Sequence, residues 1–173
     1  MNILSRLRFV KAFVFDMDGV LTDGSLILEE NGQWLRTMNT RDGYALQLAV
    51  KTGYRIVVIS GSESAAVEKR LFKLGVTDVY MGITDKERFL KEYLTGNNIS
   101  TSEILFMGDD IPDYNCMMIA GFACCPADAA PEIKKVSSYI STMRGGCGCV
   151  RDVIEKVLKL KDKWPLATNI PST

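Results

Sequence analysis

Histidine is absent from the 173-residue chain. That removes the Ser-His and Cys-His nucleophile systems and leaves carboxylate, lysine and metal chemistry. Cysteine is scarce and odd in number, at five residues, and Cys124-Cys125 and Cys147-x-Cys149 lack the paired CxxC spacing of zinc sites. These cysteines read as small buried hydrophobes. Neither sign of charge is in surplus, since Lys plus Arg and Asp plus Glu both number 21. Nothing therefore argues for nucleic acid or an anionic membrane surface as partner. No apolar run approaches the length of a membrane span, and Met1 to Arg8 hold two arginines without an apolar core of signal length. The expectation is a soluble, cytoplasmic protein. With 47% hydrophobic residues the chain can bury a proper core, and no linker or repeat divides it. One domain over 1–173 is expected.

The most informative stretch is Lys11-Ala-Phe-Val-Phe-Asp16-Met-Asp18-Gly-Val-Leu-Thr22-Asp23-Gly24. A short run of β-branched and aromatic residues cut off by Asp and Gly reads as a buried parallel strand. Open α/β sheets bind ligands at such carboxyl ends. Asp16 and Asp18 can both be aimed at one point there, and two neighbouring anions call for a hard divalent cation such as Mg²⁺. One carboxylate can then attack while its neighbour moves a proton. Set against this is a strand that simply ends in a solvated acidic turn.

Downstream, Ser25 to Met38 reads as a hairpin turning at Asn31-Gly32. It is apolar for its size, through Leu26, Ile27, Leu28, Trp34, Leu35 and Met38. It must therefore pack on its own domain or on a partner subunit. Asn39 to Tyr44 lead into a helix over Ala45–Lys51, ended by Gly53. Strand Arg55–Ile59 runs into Ser60-Gly61-Ser62-Glu63, followed by a helix from Ser64 to Lys73. A short strand Thr77–Met81 precedes a helix opened by Thr84-Asp85-Lys86-Glu87. Strand Glu103–Met107 ends in Gly108-Asp109-Asp110-Ile-Pro112-Asp113, with a helix from Pro112 to Ile119. Gly121–Cys125 is a fifth strand, and segments 128–136, 138–141 and 150–161 complete the alternation. The tail 164–173 reads as irregular. Strands alternating with helices give an α/β, doubly wound parallel sheet with right-handed crossovers, a Rossmann-like three-layer fold.

Polar residues occupy the same relative place after four strands: Asp16 with Asp18, Ser60, Lys86, and Asp109 with Asp110. Each alone is a turn or a cap. Parallel strands, however, deliver all their carboxyl ends to one edge, so together they describe one phosphoryl-transfer site. In that reading Asp16 attacks phosphorus, and Mg²⁺ bridges Asp16, Asp109 and a phosphate oxygen. Ser60 and Lys86 neutralise the remaining oxygens. Asp18 protonates the leaving alkoxide and later deprotonates water, while Asp110 and Asp113 orient Lys86 or metal-bound water from outside. A receiver-like signalling domain uses a similar residue set, but with its acidic pair and its phosphorylated Asp on different strands. A non-catalytic subunit of the same fold would not need every one of these groups.

Asp16-Met-Asp18-Gly-Val-Leu-Thr-Asp, Ile59-Ser60-Gly61, Asp85-Lys86 and Gly108-Asp109-Asp110-x-x-Asp113 resemble, in order, the four motifs of the haloacid dehalogenase superfamily. The gaps between them are too short for a cap domain. The hairpin, Asn39-Thr-Arg41-Asp42-Gly43-Tyr44, Arg70, Pro126-x-Asp128-Ala and Gly145-Gly-Cys-Gly-Cys-Val-Arg151-Asp152 are similar to the capless subclass that acts on ulosonate phosphates. The resemblance implies a Mg²⁺-dependent sugar phosphatase without a cap, using an aspartyl-phosphate. It implies 3-deoxy-D-manno-octulosonate 8-phosphate as substrate, in lipopolysaccharide precursor synthesis. It also implies a homotetramer built through the 25–38 hairpin, metal contact by Asp18 through its main-chain carbonyl, and substrate contact by Asp18, Thr40, Arg41, Asp42, Gly43, Gly61, Arg70 and Lys86. Ser62 stands where many family members carry a substrate-holding arginine, which makes a nine-carbon ulosonate 9-phosphate the near competitor.

Overall fold

The computed structural model describes residues 3–165 and 169–170. Along the chain these form α1 (Ile3–Leu7), β1 (Ala12–Phe15), β2 (Ile27–Leu28), β3 (Trp34–Leu35), α2 (Thr40–Lys51), β4 (Arg55–Ile59) and α3 (Ala65–Lys73). There follow β5 (Asp78–Tyr80), α4 (Lys86–Gly96), β6 (Ile104–Met107), α5 (Tyr114–Ile119), β7 (Phe122–Cys125), α6 (Pro131–Val136), β8 (Tyr139–Ile140) and α7 (Cys149–Lys159). Six strands form one parallel sheet in the order β5-β4-β1-β6-β7-β8. Numbered by their appearance within this sheet, that is 3-2-1-4-5-6. The order reverses between β1 and β6, and such a reversal opens a ligand crevice at the carboxyl edge.

The strand period sorts the core into two layers. Phe13 and Phe15 of β1 join Leu105 and Met107 of β6 on the face covered by Leu46 of α2, Leu71 of α3 and Val153, Val157 and Leu158 of α7. Val14, Val57 and Phe106 point the other way, against Leu90 and Leu94 of α4, Met117 of α5 and Ile133 of α6. Phe13, Val14 and Phe15 are all fully buried. Burying each such large apolar side chain contributes about 1.5–3 kcal/mol. A strand apolar on both sides is thus locked centrally, which fixes where Asp16 emerges.

Three local features depart from the expected boundaries. The second helix starts at Thr40, five residues earlier than Ala45, because the Asn39 side chain accepts from the Arg41 amide at 2.8 Å and caps it. The Asn-Gly turn is a three-residue loop over Glu30 to Gly32. Gly32 sits at φ +84°, its amide donates to Glu29 O at 2.9 Å, and the Glu29 amide donates to Gln33 O at 2.9 Å. That pattern is a turn followed by a glycine bulge, whose strands diverge less than an ordinary turn would allow. The N-terminal segment forms α1, tied down by Arg6, whose guanidinium donates to Gly121 O at 2.5 Å and Ser138 Oγ at 3.0 Å. Of the tail, Trp164 packs edge-on against Tyr44 with ring centroids 5.9 Å apart, and Arg151 lies over it at 5.5 Å. Residues 166–168 and 171–173 lie outside the described part. No described helix is long and apolar enough to cross a membrane.

Candidate active site

Register builds the site. Phe15 pairs with Val58 of β4 and Met107 of β6, so the residues that follow, Asp16, Ser60 and Asp109, leave the sheet side by side. The Asp16 amide still donates to Met107 O at 3.0 Å, holding the first carboxylate at the strand exit. Lys86 comes from the first turn of α4, which is capped by Asp85 through the Arg88 amide at 3.0 Å. Its Nζ donates to Asp16 Oδ1 at 2.7 Å and to Asp113 Oδ1 at 2.8 Å. Asp113 accepts in turn from the Asp109 amide through Oδ2 at 3.1 Å. Lys86, Asp16 and Asp113 are all buried, at 6%, 7% and 1% exposure.

Carboxylate oxygens of Asp16, Asp109 and Asp113 lie within 4.8 Å of one another. Burial first, then the neighbouring Asp113 charge, pushes the Asp16 carboxyl up to about 7 against the pull of Lys86. Burial, followed by the charges of Asp16 and Asp113, raises Asp109 to about 8. Burial alone would lower the Lys86 ammonium, but Asp16 and Asp113 outweigh it and hold that group well above its usual range. Three crowded carboxylates with one fixed cation remain short of positive charge. Their hard oxygen donors suit Mg²⁺.

In metal-free protein the fold should lose stability from pH 6 to pH 8. Unfolded carboxyls are already ionised above about pH 5. The folded state keeps protons on Asp16 and Asp109 until about 7 and about 8, so it releases them across this window. Each proton that the folded state still holds and the unfolded state has lost costs up to about 1.4 kcal/mol per pH unit, until it too is released. Mg²⁺ takes the place of those protons, so its stabilising effect grows over the same range. Thermal melts in EDTA and in Mg²⁺ at both pH values measure this, and a metal effect independent of pH would contradict it.

The cleft above this cluster, about 310 Å³, is lined by Asp16, Asp18, Gly24, Ser60, Gly61, Ser62, Lys86, Asp109, Asp110, Pro112 and Asp113. Ser60 Oγ accepts from the Ser62 amide at 3.0 Å, which leaves its hydroxyl proton for a ligand. Gly19 is required twice over. Its φ is +89°, and a Cβ there would fall 2.0 Å from Asp109 Oδ2. Gly145 is the matching requirement behind the loop, where a Cβ would meet Gly19 O at 1.9 Å.

Several expected site residues have partners that the sequence did not show, and some lie outside the cleft. The Asp18 carboxylate is outside the three-carboxylate group; Arg36 grips it, with Nε to Oδ1 at 2.7 Å and Nη2 to Oδ2 at 3.0 Å. Asp113, expected outside the metal shell, holds Lys86 and also joins the carboxylate cluster. Asp110 does not reach Lys86. Its carboxylate accepts from the Ile111 amide at 2.8 Å and caps the turn over Ile111–Asp113. Asp42 is buried and accepts from the Gly148 and Arg151 amides at 3.2 and 2.7 Å, so it caps α7 from across the chain. Thr40, Arg41, Gly43 and Arg70 likewise do not line the cleft within one protomer. Arg36 was not singled out from sequence. Its signal was that it is the single basic residue of the 25–38 hairpin, directly after Trp34 and Leu35.

A family model described as haloacid dehalogenase-like hydrolase matches residues 75–150. The 3-deoxy-D-manno-octulosonate 8-phosphate phosphatase KdsC of Escherichia coli (strain K12) is 30% identical over 162 residues, covering 94% of this chain and 86% of that protein. The chain belongs to the haloacid dehalogenase-like hydrolases. Among solved structures it resembles the 3-deoxy-D-manno-octulosonate 8-phosphate phosphatase of Moraxella catarrhalis, in complex with magnesium ion, phosphate ion and KDO. The TM-score is 0.88 and the identity 33%, with 91% of each chain covered. It also resembles the cobalt-bound deoxy-D-mannose-octulosonate 8-phosphate phosphatase of Haemophilus influenzae, with a TM-score of 0.86 and 25% identity over 91% of this chain and 92% of that one. The chain is an α/β phosphoric monoester hydrolase, and its described residues form no cap domain.

Proposed function

We propose that this protein is a Mg²⁺-dependent phosphatase of 3-deoxy-D-manno-octulosonate 8-phosphate, acting through an aspartyl-phosphate on Asp16. The observation that carries the reading is the buried Asp16–Lys86–Asp113 set, at 2.7 and 2.8 Å, inside a cleft that also contains Asp18, Ser60 and Asp109. Asp16, Asp109 and the Asp18 carbonyl would hold the metal. Bound Mg²⁺ supplies charge neutralisation for the transferring phosphoryl group.

The side chains account for the rest. Lys86 spends its donors on Asp16 Oδ1 and Asp113 and keeps a third for a phosphoryl oxygen. The other Asp16 oxygen attacks phosphorus in line, and the bond from phosphorus to the sugar oxygen breaks. Asp18 gives its proton to that departing oxygen. Asp18 then takes a proton from water, which attacks the aspartyl-phosphate, frees phosphate and restores the Asp16 carboxylate. Ser60 donates its hydroxyl proton to a phosphoryl oxygen. Gly61 contributes the backbone beside it.

The receiver-like alternative fits poorly. Receiver folds order their strands 2-1-3-4-5, whereas this sheet runs 3-2-1-4-5-6, with both Asp16 and Asp18 at one strand end. Ser62 on the cleft wall keeps nine-carbon ulosonate 9-phosphates in the comparison. The test is kcat/KM with Mg²⁺ on eight- and nine-carbon ulosonate phosphates. The eight-carbon ester is expected to lead, and a tenfold preference for a nine-carbon ester would reassign the substrate.

The whole chain, 1–173, acts as one catalytic domain in this reading, in the cytoplasm and as a homotetramer joined through the hairpins. Supporting the last point, Ile27, Leu28 and Trp34 are 58%, 68% and 57% exposed, apolar surface that a ribbon of two short strands cannot cover by itself. Leu28→Glu with Trp34→Glu should yield monomers by light scattering. A tetramer that survives both changes would place the interface elsewhere.

A further inference from the structure

Arg36 follows β3 at the base of the hairpin, and its side chain is 2% exposed. Its Nε and Nη2 bind one Asp18 oxygen each. Thr22 Oγ1 donates to the same Oδ1 at 3.2 Å and is itself held by the Gly19 and Gly24 amides at 3.4 and 3.2 Å. Two parallel bonds to one carboxylate fix its plane as well as its place, which a lysine cannot do. Oδ1 is filled by its two donors, but Oδ2 accepts only from Nη2 and keeps a second lone-pair direction, and Asp18 lines the cleft. Desolvating a guanidinium is only partly offset by such a pair. Stability alone is therefore a poor reason for a buried arginine behind a cleft-lining carboxylate.

We propose that Arg36 is a positioning residue that sets the Asp18 carboxyl group against the leaving oxygen of the substrate, so that the hairpin supplies part of the proton-transfer apparatus. The inference rests on the phosphatase reading above. Proton delivery within hydrogen-bond reach contributes about 10²- to 10⁴-fold to a rate, and the geometry here is set from the hairpin. The leaving group decides how much of that is needed. A sugar alkoxide must be protonated as the bond to phosphorus breaks, whereas p-nitrophenolate leaves as the anion.

The experiment compares wild type, Arg36→Met and Arg36→Lys on three substrates: 3-deoxy-D-manno-octulosonate 8-phosphate, a neutral sugar ester (ribose 5-phosphate) and p-nitrophenyl phosphate. For each, kcat/KM reports the steps up to release of the alcohol or phenol. Arg36→Met is expected to lose about 10²-fold on both sugar esters and less than about threefold on the aryl ester. Arg36→Lys, with charge but no fork, should fall between it and wild type on the sugar esters. An equal loss on all three substrates would mean a structural role and overturn the proposal. A loss confined to the acidic sugar would make Arg36 a substrate-carboxylate contact and also overturn it. Should Arg36→Met fail to fold, as judged by melting, Arg36→Lys carries the same comparison. Wild type inert toward all three esters with Mg²⁺ would overturn the phosphatase reading and this inference with it.

Discussion

Replacing Asp16 by Asn is expected to lower kcat by at least about 10⁴-fold, on the scale seen when a nucleophile is removed from a catalytic set, while the fold survives. The amide has nearly the same shape and can still accept from Lys86, but it cannot form the acyl-phosphate. Lys86 retains Asp113 at 2.8 Å, so the buried ammonium is not stranded. Asp16 is buried, with a carboxyl already pushed up to about 7. Its neutral replacement should therefore melt at the wild-type temperature or above in EDTA at pH 8. Loss of the Mg²⁺-dependent rise in melting temperature would accompany the lost turnover. Substantial Mg²⁺-dependent hydrolysis by Asp16→Asn would reject the aspartyl-phosphate mechanism outright.

Lys86→Met should damage both activity and stability, because it removes the cation from among Asp16, Asp109 and Asp113. Stripping one partner from a buried ionic group costs about 3–5 kcal/mol. In a domain of this size each kcal/mol lowers the melting temperature by about 2–4 °C. The destabilisation should be larger at pH 8 than at pH 6, since protons on the carboxylates relieve their repulsion at the lower value. Mg²⁺ should restore much of the stability and little of the activity. The loss of a preorganised charge at the transferring phosphoryl group amounts to about 10²- to 10³-fold in kcat. Equal melting temperatures at both pH values would show that Lys86 does not carry the charge balance of the site.

Support of the Met17–Leu21 loop accounts for the composition of the Gly145–Asp152 segment, which is chemically silent in the proposed mechanism. The Gly145 amide binds Asp128 at 2.9 Å, the Gly146 amide binds Val20 O at 2.9 Å, and Asp42 receives the amides that begin α7. This segment braces the Met17–Leu21 loop, which carries Asp18 and Gly19, from behind. Asp152 anchors the opposite side of it, accepting from Tyr139 and Ser141 at 2.7 Å each and pairing with Lys156. Asp42, expected beside the sugar, caps a helix here, a role its position within the motif could not reveal.

The alternation of strands and helices, the burial of the strand before Asp16, and the gathering of Asp16, Ser60, Lys86 and Asp109 at one edge were all legible along the chain. The physical reason is that an apolar strand cut off by Asp and Gly, and a capped helix start, are local properties. Once strands are parallel, their ends must coincide. Folding in three dimensions was needed to bring Asp18 to Arg36, eighteen positions away, Asp113 rather than Asp110 to Lys86, and Asp42 to α7 across more than a hundred residues. Spacing along a loop does not fix where a side chain points; packing does, through whichever donor the fold brings within 3 Å of it.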